Sequence, residues 1–105
     1  MIWLDLIAWV FGGALLANAI PHFASGMMGR PFQSPFATPP GEGLSSSTVN
    51  VVWGFGNLVG AYLLLVHVGA FDLRNAVDAA AAGLGMIGIA LFAARHFGRF
   101  HGGHV

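Results

Sequence analysis

The sequence predicts an all-α integral membrane protein with three transmembrane helices. Its composition points to a membrane, since 56% of the residues are hydrophobic and 8% are charged, against about 25% charged in an ordinary soluble domain. The few charges also divide the chain into three apolar stretches, each close to the roughly 20 residues that cross a bilayer core. We therefore treat the 105 residues as a single membrane domain.

The composition excludes several functional classes. Arginine and lysine total four and the formal net charge is zero, so no basic surface is large enough to bind nucleic acid. Because the chain has no cysteine, it has no thiolate metal site and no cysteine nucleophile. It also lacks a glycine-rich phosphate loop, a catalytic triad and an HExxH motif. We expect no enzymatic activity and no catalytic residues.

The first predicted helix covers residues 2 to 20, with Asp5 as its one charged residue. We place its end before Pro21, because proline inside a helix removes a hydrogen bond and clashes with the preceding turn. A seam of small residues, Ala8, Gly12 and Ala19, runs along the face that carries Asp5.

A long loop rich in proline, glycine and phenylalanine is expected from residue 21 to residue 47. Loops of about this length are commonly functional or disordered. Its stretch PFQSPFATPP places two Pro-Phe pairs four residues apart, which favours an extended or turning segment over a helix. Phe32, Pro35 and Phe36 are therefore candidates for a docking contact, and an interfacial loop without a site is the alternative.

The second predicted helix covers residues 48 to 70 and carries a polar stripe. At about 100° per residue, small and polar residues share one face: Ser46, Asn50, Gly54, Asn57 and Ala61. The bulky residues lie opposite and are expected to face lipid. Gly56 and Gly60, beside the stripe, have the spacing that lets two helix backbones approach closely. We expect this seam to be a helix contact.

The two asparagines of the stripe admit two interpretations. Asn50 and Asn57 lie on one face, and a polar side chain in hydrocarbon needs a partner. Each amide could form a hydrogen bond with a neighbouring helix and so stabilise helix association. Alternatively, the two amides could line a path for a solute or an ion.

His67 is the titratable side chain that falls inside a predicted span rather than at its edge. Because histidine titrates near neutral pH, a pairing of His67 with Asp5 or Asp78 would create a proton or ion site. A neutral imidazole that donates to a backbone carbonyl is the alternative.

The third predicted helix covers residues 77 to 97, followed by a short histidine-rich tail, residues 98 to 105. Sixteen residues separate Asp78 from Arg95, or about 24 Å of helix, so both side chains are expected to reach toward the headgroups. Gly85 lies on the small-residue face of this helix and is a further candidate for helix packing.

Two histidines at the predicted inner boundary raise the question of a metal or haem. His22 and His96 lie on different helices, as the ligands of a bis-histidine haem do. The sequence does not specify their mutual geometry, and histidines beside arginine and phenylalanine are typical of an interfacial anchor. We expect no metal and no cofactor, with His22 and His96 as the candidates to test.

Arginines in the flanking segments predict the orientation. Arg30, Arg95 and Arg99 would lie on one side of the membrane and Arg74 on the other. This places the N-terminus outside and the C-terminus in the cytoplasm, in a bacterial-type inner membrane.

The seams predict association with other membrane helices. The second helix has more non-lipid surface than two neighbouring helices can cover, which indicates partners beyond the lipid bilayer: other membrane-protein subunits or copies of the chain itself. The predicted function is that of an accessory or stabilising subunit of a larger membrane complex, or of a self-assembling protomer. The alternative is a small homo-oligomeric channel or proton-coupled transporter lined by Asn50, Asn57 and His67.

Overall fold

Three long helices and a small β-hairpin make up the fold. The computed structural model describes residues 2 to 103. The elements in chain order are α1 (Ile2–Met27), β1 (Phe32–Gln33), β2 (Leu44–Ser45), α2 (Ser47–Val66) and α3 (Ala76–His101). All three helices are long and apolar enough to cross a membrane. The prediction of three helices with the length and apolar character of membrane spans is confirmed.

The first helix lies at the centre of the bundle. α1 packs against α2 on one side and against α3 on the other, whereas α2 and α3 make almost no direct contact within the described part of the chain. α1 must therefore present small or inward-facing side chains to two neighbours at once. Its buried residues are Trp9, Gly12, Gly13, Ala19, His22 and Gly26.

α1 continues for seven residues beyond the predicted end at residue 20, and Pro21 lies inside it. Proline removes one backbone donor from the helix, but transmembrane helices tolerate it where neighbouring elements support the chain. Here α2 supplies that support. A Cβ on Gly26 would lie 2.6 Å from the backbone oxygen of Ser47, so the last turns of α1 lie directly against the start of α2.

The segment between α1 and α2 folds back as a hairpin. β1 pairs with β2 in antiparallel register, with Phe32 opposite Ser45. Ser34 follows β1 and is 1% exposed. Its carbonyl accepts a hydrogen bond from the amide of Gly41 at 2.8 Å, and its hydroxyl accepts one from the amide of Phe36 at 3.1 Å. These bonds close the turn of the hairpin.

Glycines set the close crossing of α1 and α3. A Cβ on Gly13 would overlap the carbonyl of Ala82, and a Cβ on Gly85 would overlap the carbonyl of Val10. The two backbones are therefore in direct contact at both points, which side chains would prevent.

At the crossing of α1 and α2, the seam glycines Gly54 and Gly60 lie against α1, and Gly54 makes the contact with its backbone. A Cβ on Gly54 would lie 2.7 Å from the backbone nitrogen of Phe23. A Cβ on Gly60 would meet a methyl group of Leu15 at 2.9 Å, and one on Gly56 would meet nothing within 4 Å. Gly54 is central because it lies in the middle of the buried stripe, whereas Gly56 faces outward.

Trp9 holds the connection between α2 and α3 at the opposite end from the hairpin. Its indole is 2% exposed and donates to the carbonyl of Val68 at 2.9 Å. The ring of Phe71 packs edge-on against it, with the centroids 5.3 Å apart. Asn75 then caps α3 by accepting hydrogen bonds from its first amides, including that of Asp78 at 3.2 Å.

We expect Trp9→Phe to lower the free energy of unfolding by about 1–2 kcal/mol, because it leaves the partly buried carbonyl of Val68 without its donor. The loss should be measured by denaturant-induced unfolding in detergent micelles. Phe11→Leu, on a side chain that is 62% exposed, is the control and should change stability little. Equal effects of the two substitutions would contradict this role of the indole.

Candidate functional site

The polar stripe of α2 faces α1. The buried residues of α2 are Asn50, Gly54, Asn57 and Ala61, four of the residues that the helical wheel groups on one face. Asn50 is 0% exposed and Asn57 is 3% exposed. Two amide side chains are thus enclosed within a single copy of the chain.

Asn50 is the centre of a buried hydrogen-bond cluster. The two N–H groups of its Nδ2 are shared among three backbone oxygens, those of Phe32 at 3.2 Å, Ser45 at 3.2 Å and Ser46 at 3.0 Å. Its Oδ1 lies 2.8 Å from Nδ1 of His22. One side chain therefore joins α1, both strands of the hairpin and the start of α2.

These contacts determine which nitrogen of His22 carries the proton. Three carbonyl oxygens surround Nδ2 of Asn50, so Oδ1 must face the imidazole, and a carbonyl oxygen only accepts. Nδ1 of His22 is then the donor, and in the neutral ring Nε2 is an acceptor. No described residue is bonded to Nε2, although the side chain is 2% exposed.

Asn57 makes a second polar contact between α1 and α2. Its Oδ1 accepts from Nδ2 of Asn18 at 3.1 Å, and its own Nδ2 donates to the carbonyl of Trp53 at 2.9 Å. Both polar groups of Asn57 are used inside the bundle. A pore lined by Asn50 or Asn57 would require these amides to leave their present partners.

Aromatic rings surround His22. Phe32, Phe97 and Trp53 all meet its imidazole edge-on, with ring centroids at 5.4, 6.1 and 6.3 Å. Phe32 also stacks on His101, at 5.1 Å and 10° between the planes. The hairpin thus covers the cluster with Phe32.

The three candidate docking residues of the loop have different environments. Phe32 packs inward against His22, whereas Pro35 and Phe36 are exposed. Phe36 is 64% exposed, although its ring edge contacts Trp53 at a centroid distance of 5.1 Å. Of these three residues, Pro35 and Phe36, at the tip of the hairpin, are therefore available to another molecule.

A cavity of about 340 Å³ lies beneath the hairpin, between α1, α2 and α3. Its lining is uncharged and includes Asn18, His22, Gln33, Trp53, Phe92 and His96. The indole nitrogen of Trp53 is buried and has no hydrogen-bond partner within the described residues. Trp53 and His22, each with a ring nitrogen that has no partner among the described residues, both line this cavity, which makes it our candidate site.

His22 and His96 both line this cavity, but they are not equally available as metal ligands. Nε2 of His96 lies 2.6 Å from the carbonyl of Gly41, to which it donates. Its Nδ1 then accepts from the guanidinium of Arg99 at 3.1 Å. His96 has no nitrogen lone pair left for a metal, and among residues 2 to 103 no three histidine or carboxylate side chains group as ligands. The cavity is better suited to hydrogen bonding than to bis-histidine ligation.

The other predicted site residues lie at the far end of the bundle. His67 is exposed, and its Nε2 is 3.0 Å from the hydroxyl of Tyr62. Asp78 is 8% exposed and accepts a hydrogen bond from a backbone amide of the α2–α3 connection. Asp5 lies beside the turn at Gly69. Between the described residues, the hydrogen bond of His67 is to Tyr62 and not to either carboxylate.

Sequence patterns do not reveal two members of the cavity, Gln33 and Trp53. Gln33, which is 4% exposed, bonds to His101 at 2.9 Å, and the sequence places Gln33 in a loop and His101 in the tail. Trp53 lies three residues after Asn50, at the edge of the polar stripe. That adjacency is the one signal that would have identified it.

A comparison of the chain with protein-family models, curated proteins and solved structures finds no match. Its function is therefore inferred from the geometry described above.

Proposed function

We propose that the chain is a small multi-pass membrane protein that acts by helix association, as a self-assembling protomer. The observation that carries this proposal is an outward-facing seam on α2. Its members recur at intervals of three and four residues and are all exposed: Val49, Val52, Gly56, Val59, Leu63 and Val66. This spacing is the one with which two helices pack along a continuous line of contact.

Gly56 gives the seam a recess. A Cβ at this position would meet no atom of residues 2 to 103 within 4 Å, and a glycine inside a helix is less favourable than alanine by about 1 kcal/mol. A groove of about 580 Å³ runs past Gly56, Val52 and Val49 to the exposed ring of Phe36. A neighbouring helix lying in this groove would contact both the seam and the tip of the hairpin.

A second copy of the chain is the occupant that the seam suits best. The seam carries no charge, so two identical seams do not repel each other, and a twofold axis would bring the same patch of each copy together. The buried polar stripe is already used within one copy, so association would depend on close apolar packing, as it does between many membrane helices.

We place the protein in a bacterial-type inner membrane, with the N-terminus outside and the C-terminus in the cytoplasm. The support is the excess of arginine near the hairpin end of the bundle, at Arg30, Arg95 and Arg99, over Arg74 at the other end. In this orientation the hairpin and its cavity lie at the cytoplasmic side.

Cysteine crosslinking in native membranes tests the seam. The natural chain has no cysteine, so a single introduced thiol reports only on its own position. Under mild oxidation, Val52→Cys and Val59→Cys should form a dimer that reductant reverses, because a disulfide requires Cβ atoms about 4 Å apart.

Phe55→Cys and Tyr62→Cys are the matched controls. Both positions are exposed, at 57% and 53%, lie on the same helix at similar depths and, at about 100° per residue, flank the seam on one side rather than lying on its centre line. They should crosslink weakly or not at all. Equal crosslinking at all four positions, or none at Val52 and Val59, would overturn the proposal. Crosslinking of Val52→Cys only to a different protein would also overturn self-assembly and would favour an accessory subunit.

A further inference from the structure

We propose that the cavity beneath the hairpin binds the ring of an uncharged, membrane-soluble lipid of the phenol or hydroquinone type. This inference does not depend on self-assembly, because every residue that it uses belongs to one copy of the chain. It assigns a ligand class to a cavity whose polar groups are not fully satisfied by the protein.

Two unpartnered polar atoms specify the hydrogen bonding of the ligand. Nε2 of His22 is an acceptor, because Nδ1 carries the proton and donates it to Oδ1 of Asn50. Nε1 of Trp53 is a buried donor without a partner among residues 2 to 103. A phenol or hydroquinone ring can satisfy both atoms. Its hydroxyl can donate a proton to Nε2 of His22, and a hydroxyl oxygen on the ring can accept from Nε1 of Trp53.

The rest of the lining selects for a flat and uncharged group. No charged side chain lines the cavity, whose volume is about 340 Å³, so a phosphate or carboxylate headgroup would lose its hydration without gaining a counter-ion. The aromatic side chains of Trp53, Phe92 and Phe97 form part of the wall. Such walls favour a planar ring, which can pack against them in edge-on or offset geometry.

An adjacent groove has room for the apolar tail of such a lipid. A cleft of about 580 Å³ runs between α1 and α3 and is lined by apolar and small residues, among them Ala17, Ile20, Gly83 and Ala90. Asn18 lines both this cleft and the cavity. A lipid with its ring in the cavity could therefore extend its tail along α1 and α3, on the surface that faces hydrocarbon.

Titration calorimetry on the protein in lipid nanodiscs tests this inference. The probe is a hydroquinone that carries a decyl chain, and empty nanodiscs provide the correction for partitioning into lipid. We expect saturable binding at one site per chain. The dimethyl ether of the same compound should bind at least about 10-fold more weakly, because it has no proton to donate to His22.

Three variants locate the site. Trp53→Phe removes the free donor and should weaken binding by about 5- to 10-fold, whereas Trp3→Phe, on a side chain that is 52% exposed near the start of α1, should not change it. Ala90→Phe, at an exposed position in the cleft, should weaken binding of the decyl compound but not of tail-less methylhydroquinone.

Three results would overturn the inference: no saturable heat above that of empty nanodiscs, equal affinity for the dimethyl ether, or unchanged affinity in Trp53→Phe. Circular dichroism of each variant should show the helical content of the wild type, since Trp53→Phe removes a donor that the protein itself does not use.

Discussion

The substitution Asn50→Leu is expected to lower the free energy of unfolding by about 3–5 kcal/mol and to release the hairpin. Asn50 is fully buried, and its amide serves three backbone carbonyls and the imidazole of His22 together. Leucine fills a similar volume but removes all four side-chain hydrogen bonds, although the carbonyl of Ser46 keeps a bond from the backbone amide of residue 50. Denaturant-induced unfolding in micelles measures the stability, and limited proteolysis between residues 34 and 43 measures the release of the hairpin.

Asn57→Leu is the matched control, since it replaces the same residue type on the same face of α2. Asn57 has one contact to another helix, with Asn18, and hydrogen bonds between membrane helices contribute only about 0.6 kcal/mol on average. We expect a loss of about 1 kcal/mol and an intact hairpin. If Asn57→Leu proved as destabilising as Asn50→Leu, or if the hairpin of the Asn50 variant stayed resistant to protease, Asn50 would not be the organising residue.

Gly85→Ala should destabilise the bundle by about 3 kcal/mol, the upper range for overpacking. The added methyl group would overlap the carbonyl of Val10. A backbone group cannot rotate away as a flexible side chain can, so α1 and α3 would have to separate along the crossing. The measurement is the midpoint of thermal unfolding followed by circular dichroism, together with the free energy from denaturant titration.

Gly83→Ala is the corresponding control on the same helix. A Cβ at Gly83 meets nothing within 4 Å, so this substitution should be neutral or should stabilise the helix by up to about 1 kcal/mol, because alanine is the better helix former. A loss of stability in the Gly83 variant similar to that in the Gly85 variant would contradict the proposed backbone contact.

Much of the architecture could be predicted from local patterns. Long uncharged stretches predict helices because an apolar helix satisfies its own backbone in lipid. The face of α2 that carries Asn50 and Asn57 could also be identified, because in hydrocarbon the costly polar groups and the small residues are placed together against a neighbour. The structure buries Asn50, Gly54, Asn57 and Ala61 on that face.

Other features could not be predicted from such patterns. The rule that proline ends a helix placed the end of the first helix before Pro21, yet α1 runs to Met27. The rule describes an isolated helix, whereas here the last turns pack on the start of α2 through Gly26. Similarly, Gly56 and Gly60 have the familiar spacing, but among these glycines of α2 it is Gly54 that lies against the backbone of α1.

By itself the sequence determined the all-helical class, the number of helices long and apolar enough to cross a membrane and the face of α2 that is buried, since each depends on hydrophobicity and helical period along the chain. Only the tertiary structure decided which partner each polar group has. Asn50 meets His22, which lies 28 residues earlier in the chain, and His101 meets Gln33 across 68 residues. The hairpin brings these groups together over one cavity, and no periodicity encodes a contact between residues so far apart.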